Sequence, residues 1–228
     1  MAVRLSTLPD SISVEIHRAA CIVVDMQNGF LSPGGMYDQA GVDISYAQRT
    51  IFAAQRALTV IRASGIPVVY LQTGQTVDLS TAGGEDSPCP EKSMALRMLR
   101  ADPQLKGKLM TFGAWNAEIV DAVKPQPNDI VVRKSRYSGF AGTNLDSVLR
   151  SRTTKVIFFV GVAANVCVES TIRDAYFNEY WPVLIEDATM QEGPPEMLAA
   201  TLFNVRNFFG WTLTSTQLAR ELKAECNG

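Results

Sequence analysis

Short unbroken apolar runs alternate along this chain with stretches whose apolar residues recur every three or four positions. Residues 19–24 form the first run, and the β-branched segments at 66–71, 130–132, 156–160, 183–185 and Trp211–Leu213 repeat it. Runs this short, with no polar alternation, predict strands buried on both faces. Between them, residues 44–64 place Ile51, Ala54, Leu58 and Ile61 on one helical stripe that ends at Gly65 as a left-handed cap. Helices are also predicted over 92–100, 144–150, 165–178 and 194–207, the last opening on Pro194 as its first helical residue. Ser215 or Thr216 is expected to cap a final helix. Repeated strand–helix units predict an α/β chain. The expected architecture is a three-layer, doubly wound fold on a six-stranded, mainly parallel sheet, built as one domain over residues 1–228. Residues 72–92 are polar and rich in Gly, Ser, Thr and Pro, and a loop that long is expected to cover or bind something.

The strand ends carry the candidate chemistry. Asp25 closes the first run, Lys134 follows residues 129–133, and Cys167 lies just beyond Gly161, where the 156–160 run turns into helix. Open α/β sheets place their ligand crevice at such carboxyl ends. A thiol in the first turn of a helix faces unpaired N–H groups and the positive end of the helix dipole, so a lowered pKa is expected for Cys167. Acid, amine and thiol together supply a proton acceptor, a cation and a nucleophile. Taken singly, each also has a plain reading, as a loop charge or a small core residue.

Composition narrows the choice. The chain has 228 residues, a formal net charge of −2 and 46% hydrophobic residues, which fits a globular protein and favours neither nucleic acid nor an anionic membrane. No apolar run approaches a membrane span, and residues 1–13 lack a signal-peptide core, so a cytoplasmic location is expected. Cys21, Cys89, Cys167 and Cys226 show no metal-ligand spacing, and no disulfide framework is expected. The single histidine, His17, precedes the first strand, away from every strand end. Ser-His-Asp and Cys-His pairs are therefore disfavoured. The segment after the first strand, Asp25-Met26-Gln27-Asn28-Gly29-Phe30, is not a phosphate-binding glycine loop. No cofactor and no metal are expected.

Three motifs carry a family resemblance: Val24-Asp25-Met26-Gln27-Asn28, Arg133-Lys134-Ser135-Arg136-Tyr137-Ser138-Gly139-Phe140, and residues 161–173. With Glu186-Asp187-Ala188-Thr189 and Phe208-Phe209-Gly210-Trp211, the chain resembles the isochorismatase-like cysteine hydrolases over about residues 17–222. Within them it looks most like the ureidoacrylate amidohydrolases of pyrimidine breakdown, through Ser32-Pro33-Gly34-Gly35, residues 103–109 and residues 165–171. It departs from those enzymes at Thr73, Gln75 and Met94, where they carry Asn, Trp and Asn. Cys167 separates the chain from isochorismatases proper, which lack the thiol. Residues 72–80 lack the Asp-x-His metal cluster usual in nicotinamidases.

The resemblance implies cleavage of a C–N bond in a small ureido, carbamoyl or amide substrate through a covalent acyl-enzyme. Asp25 would move the proton, Lys134 would hold Asp25, and the N–H groups of Ala163 and Cys167 would form the oxyanion hole. A cis peptide between Val162 and Ala163 and a homodimer or homotetramer are implied with it. Substrate-binding candidates are Asn28, Gln72, Thr73, Gln75 and Tyr137, with Gln27 explained equally well as part of a polar turn. Arg173 and Glu169 read as a structural ion pair, and Trp115, Trp181 and Trp211 as core or subunit-interface residues. Three readings stay open: hydrolysis of ureidoacrylate or another small amide or carbamate, a redox-active thiol protein, and a catalytically idle binding relative.

Overall fold

In the computed structural model, which describes residues 2–84 and 86–226, six parallel strands form the central sheet. An antiparallel hairpin, β1 (Ala2–Leu5) and β2 (Ile12–Glu15), precedes it. The sheet is built from β3 (Ala19–Val24), β4 (Val68–Thr73), β5 (Ile130–Lys134), β6 (Val156–Val162), β7 (Trp181–Met190) and β8 (Trp211–Leu213). Their order is β5-β4-β3-β6-β7-β8. The expected six-stranded α/β architecture is present, with every neighbouring pair parallel.

Along β3 and β6 the residues sort by parity. Ala19, Cys21 and Val23 of β3 face one core, and Ala20, Ile22 and Val24 face the other. On β6, Val156, Phe158 and Val160 join the first core while Ile157 and Phe159 join the second. This two-sided burial is why the strands read as unbroken apolar runs. The first core is covered by α3 (Ala47–Ala63) and α9 (Ser215–Cys226), and the second receives Leu145 and Leu149 of α6 (Leu145–Ser151) with Ile172 and Ala175 of α7 (Glu169–Phe177). Gly65 ends α3 with φ +71°, and Ile66 N–H reaches back to the Ile61 carbonyl, as the cap reading required.

Several boundaries shift. The 92–100 prediction resolves into α4 (Cys89–Lys92) and α5 (Met94–Ala101). Pro194 lies before α8 (Glu196–Asn204), so it is not the first helical residue, and residues Val205–Phe209 continue as a π-helical turn. Thr214, rather than Ser215 or Thr216, caps α9: its hydroxyl accepts from Gln217 N–H, and Gln217 Oε1 accepts from Thr214 N–H. Ser215 instead donates to Asp187. Two short helices, α1 (Asn28–Leu31) and α2 (Met36–Gln39), fold beside the end of β3. Trp115 and Trp181 are exposed, while Trp211 is half-buried against the first core and stacks on Trp181 at 5.1 Å. Cys21, Cys89 and Cys167 are free thiols; the side chain of Cys226 lies outside the described residues.

The strand order places a topological switch between β3 and β6. From β3 the chain winds out through β4 and β5, then returns to β6 on the other side. The crevice that such a reversal opens lies at the carboxyl ends of these two strands.

Candidate active site

β3 ends at Val24, which pairs with Gly161 of β6. Gly161 has φ +122°, and a Cβ there would overlap the Val24 carbonyl oxygen, so only glycine lets the strands meet at this level. Asp25 leaves β3 with φ +49°, a left-handed conformation that costs a non-glycine residue about 1–3 kcal/mol. Its N–H still donates to Leu71 of β4. The turn aims the carboxylate under the crevice, where Lys134 arrives from the end of β5. The two side chains are fully buried and 2.7 Å apart.

Cys167 completes the group. β6 passes through the cis Val162–Ala163 peptide, as the resemblance implied, into a π-helical turn, Ala164–Val168, that leads to α7. The N–H groups of Val166 and Val168 both donate to the Ala163 carbonyl. Cys167 is thus carried in a widened turn, with its thiol facing Asp25 and Lys134. Asp25 also faces the Thr73 amide, yet neither of its oxygens receives a well-directed hydrogen bond among the described residues. Lys134 lies close to Asp25 as a counter-charge while its ammonium donates to the Arg136 carbonyl. The carboxylate therefore keeps acceptor capacity for a proton arriving from the thiol or a substrate nitrogen.

Burial dominates the electrostatics. It pushes the Asp25 carboxyl above the ordinary carboxylate range, with Lys134 pulling the other way. Burial also works against the Lys134 ammonium, but the charges of Asp25 and Cys167 outweigh it and hold Lys134 above its ordinary value. The Cys167 thiol is pushed up, first by burial, with Lys134 opposing and Asp25 adding to the rise. This corrects the lowered pKa expected from the helix start. The turn end is present, but desolvation of a 7% exposed thiol beside a carboxylate outweighs it. The resting thiol stays protonated and needs a base.

Above these groups lies a cavity of about 420 Å3. Thr73, Gln75 and Tyr137 line it, as do Ala163 and Cys167. Asn28 and Gln72 do not line it, which corrects two candidates. Asn28 donates to the Trp115 carbonyl and accepts from Ser32, and Gln72 donates to the Ala117 carbonyl. Both tie down backbone. Gln27 does the same, bracketing Thr73 by accepting its N–H and donating to its carbonyl. Gln75 is 6% exposed and accepts from the Thr81 hydroxyl, which folds the 72–92 loop back over the cavity. The cavity also gathers residues that sequence reasoning missed: Tyr37 from α2, Arg136 after β5, Arg97 from α5, and Glu192 just past β7. Glu192 obeys the strand-end rule that flagged Asp25 and Lys134. It was overlooked because β7 was expected to stop at residue 185, whereas the strand runs on to Met190. The Glu169–Arg173 pair is structural: Thr201 and Asn204 complete the bonds to Glu169 on α7. His17 sits exposed in the short turn before β3, at the opposite end of that strand. Among the described residues no three His, Cys, Asp or Glu side chains gather as metal ligands would.

The isochorismatase domain profile matches residues 19–217, from the first residue of β3 into α9. This chain belongs to the isochorismatase family. A curated relative, the ureidoacrylate amidohydrolase RutB of Caulobacter segnis, is 48% identical over 213 residues, covering 93% of this chain and 89% of that protein. Among solved structures, a cysteine hydrolase from Pseudomonas syringae pv. phaseolicola superposes with a TM-score of 0.76 at 28% identity, over 92% of this chain and 95% of that one. N-carbamoylsarcosine amidase from Thermoplasma acidophilum gives a TM-score of 0.64 at 26% identity, over 87% and 96% of the two chains. Within this isochorismatase-family chain, the matched span contains all six sheet strands and the Asp25–Lys134–Cys167 group. No described helix is long and apolar enough to cross a membrane.

Proposed function

We infer that this isochorismatase-family protein is an amidohydrolase that cleaves a C–N bond of a small ureido, carbamoyl or amide substrate through Cys167. The observation that carries the mechanism is the fully buried Asp25–Lys134 pair against the thiol at the cavity floor. The 48% identical ureidoacrylate amidohydrolase supports the substrate class. Asp25 takes the thiol proton as Sγ attacks the carbonyl carbon. The tetrahedral oxyanion accepts from the N–H groups of Ala163 and Cys167, each such donor being worth about 2.7–4 kcal/mol in related chemistry. Collapse breaks the C–N bond, and Asp25 returns the proton to the departing nitrogen. Water then gives a proton to Asp25 and attacks the thioester or thiocarbamate, and Cys167 recovers its proton from Asp25. Lys134 remains an ammonium throughout, holding Asp25 and offsetting the negative charge. No step uses a cofactor.

The cavity mouth suits an acid-bearing substrate. Arg136, half-buried and held by the Thr81 and Ser135 carbonyls, lines it with Arg97 and Lys92, and none of the three has an acidic partner among the described residues. Thr73 and Gln75, in place of Asn and Trp, support a substrate other than ureidoacrylate. The resemblance further supports a homodimer or homotetramer, and light scattering would measure the mass. Ammonia release from a panel of ureas, carbamates and amides tests the activity; no release from any member would remove the reading. One observation favours the redox alternative: Cys89 lines the same cavity as Cys167. That alternative requires a Cys89–Cys167 disulfide after peroxide treatment in a protein that releases no ammonia.

A further inference from the structure

The mechanism above uses one carboxylate, and the cavity contains a second. Glu192 lies past the end of β7, and its main chain is clamped from both sides by one residue of the cysteine turn. Asn165 Nδ2 donates to the Glu192 carbonyl at 3.0 Å, and Asn165 Oδ1 accepts from the Glu192 N–H at 2.9 Å. The side chain is fixed as well, because the Tyr37 hydroxyl donates to Glu192 Oε2 at 2.6 Å. Tyr37 is 3% exposed, and burial, followed by the Glu192 charge, raises its phenol well above the ordinary value, so Tyr37 keeps its proton and acts as the donor. Asp25 and Cys167 lie near enough to add to that rise.

Glu192 forms no ion pair among the described residues, and its Oε1 accepts no hydrogen bond from them. A half-buried carboxylate with one oxygen anchored, the other open and no cation within ion-pair distance among the described residues lacks a partner that a ligand can supply. An anionic group placed there would be repelled. A nitrogen donor would be held.

We propose that Glu192, positioned by Tyr37 and Asn165, is a specificity-determining residue that selects substrates carrying an N–H donor beyond the scissile bond, whether a protonated amine or a neutral amide. This rests on the amidohydrolase reading for its reaction but not for its binding. Arg136, on the loop after β5, would take the acidic part of the same molecule.

The test separates the two claims. Binding is measured calorimetrically on the Cys167→Ala chain with three matched ureas: 2-aminoethylurea carries an ammonium, 3-ureidopropanamide a neutral amide, and propylurea a methyl at the same place. The expected result is at least tenfold tighter binding of one or both donor-bearing ureas than of propylurea. Adding Glu192→Ala should bring every ratio within twofold, while Glu192→Gln should retain only the advantage of the amide. An ammonium arm that leads identifies a cationic substrate, and an amide arm that leads identifies a neutral one. Ratios within twofold on the Cys167→Ala chain, or ratios that survive Glu192→Ala, would overturn the proposal. If Glu192→Ala fails to fold, Glu192→Gln decides on the ammonium arm alone. Ammonia release by the unsubstituted chain is read separately, so its absence with the binding preference intact removes the hydrolytic reading and leaves this one standing.

Discussion

Asp25 and Lys134 hold two opposite charges out of water at the ends of β3 and β5, with β4 between them, and each is tolerable only because of the other. Removing one partner from a buried pair leaves an uncompensated charge and costs about 3–5 kcal/mol. Lys134→Met should therefore lower unfolding free energy by that order, measured by urea titration. The double change Asp25→Asn with Lys134→Met should recover most of the loss. Both should be inactive, so stability and catalysis part company at this pair. The direction of the Asp25 shift sets a pH dependence. Asp25 must be ionised to accept the thiol proton, and burial raises its pKa above the ordinary value of about 3.9. Activity should thus fall on the acid side with a midpoint above that of a solvated aspartate. Lys134 is raised and stays charged through neutrality, so it imposes no limb there. A kcat/KM profile whose acid midpoint matches a free carboxylate would show that Asp25 is not the base.

At the scale of elements, Gly161 decides whether β3 and β6 can end side by side. Gly161→Ala would place a methyl against the Val24 carbonyl at a positive φ, with a predicted cost of about 3 kcal/mol or more by thermal melting. Thr214→Ala should cost about 1 kcal/mol by removing half of the α9 cap. The inner sheet strands were legible because both faces of each are buried, which leaves unbroken apolar runs. The hairpin β1–β2 was not, since its alternation lasts only four residues per strand and depends on packing against α9 for its meaning. The grouping of Asp25, Lys134 and Cys167 was legible by position, since they lie at or shortly beyond the ends of β3, β5 and β6. Cys167's protonation was misjudged because a helix start is visible in sequence, whereas burial of a thiol beside a carboxylate is a tertiary fact. Asn28 and Gln72 were misassigned for a related reason: polar side chains next to a site can spend their hydrogen bonds on backbone, and only the fold shows which do.

At the scale of the whole molecule, the proposed chemistry runs on carboxylate, amine and thiol. It predicts full activity after exhaustive chelation; loss that zinc, manganese or iron restores would defeat this. It also predicts, from Thr73, Gln75 and Glu192 together, that ureidoacrylate is not the best substrate. A hundredfold advantage for ureidoacrylate over other ureas, carbamates and amides in kcat/KM, about 2.7 kcal/mol at the transition state, would contradict that. The central claim is that the Cys167 sulfur forms the covalent bond. The most direct measurement is kcat/KM of Cys167→Ser against the unsubstituted chain on the best substrate found, with circular dichroism confirming the same fold. A serine hydroxyl in this buried place is a far weaker acid than the thiol, and removing a catalytic nucleophile outright costs on the order of 10^6 in rate. The account predicts a fall of at least about 10^3 with the fold unchanged. Activity within tenfold of the parent would contradict it.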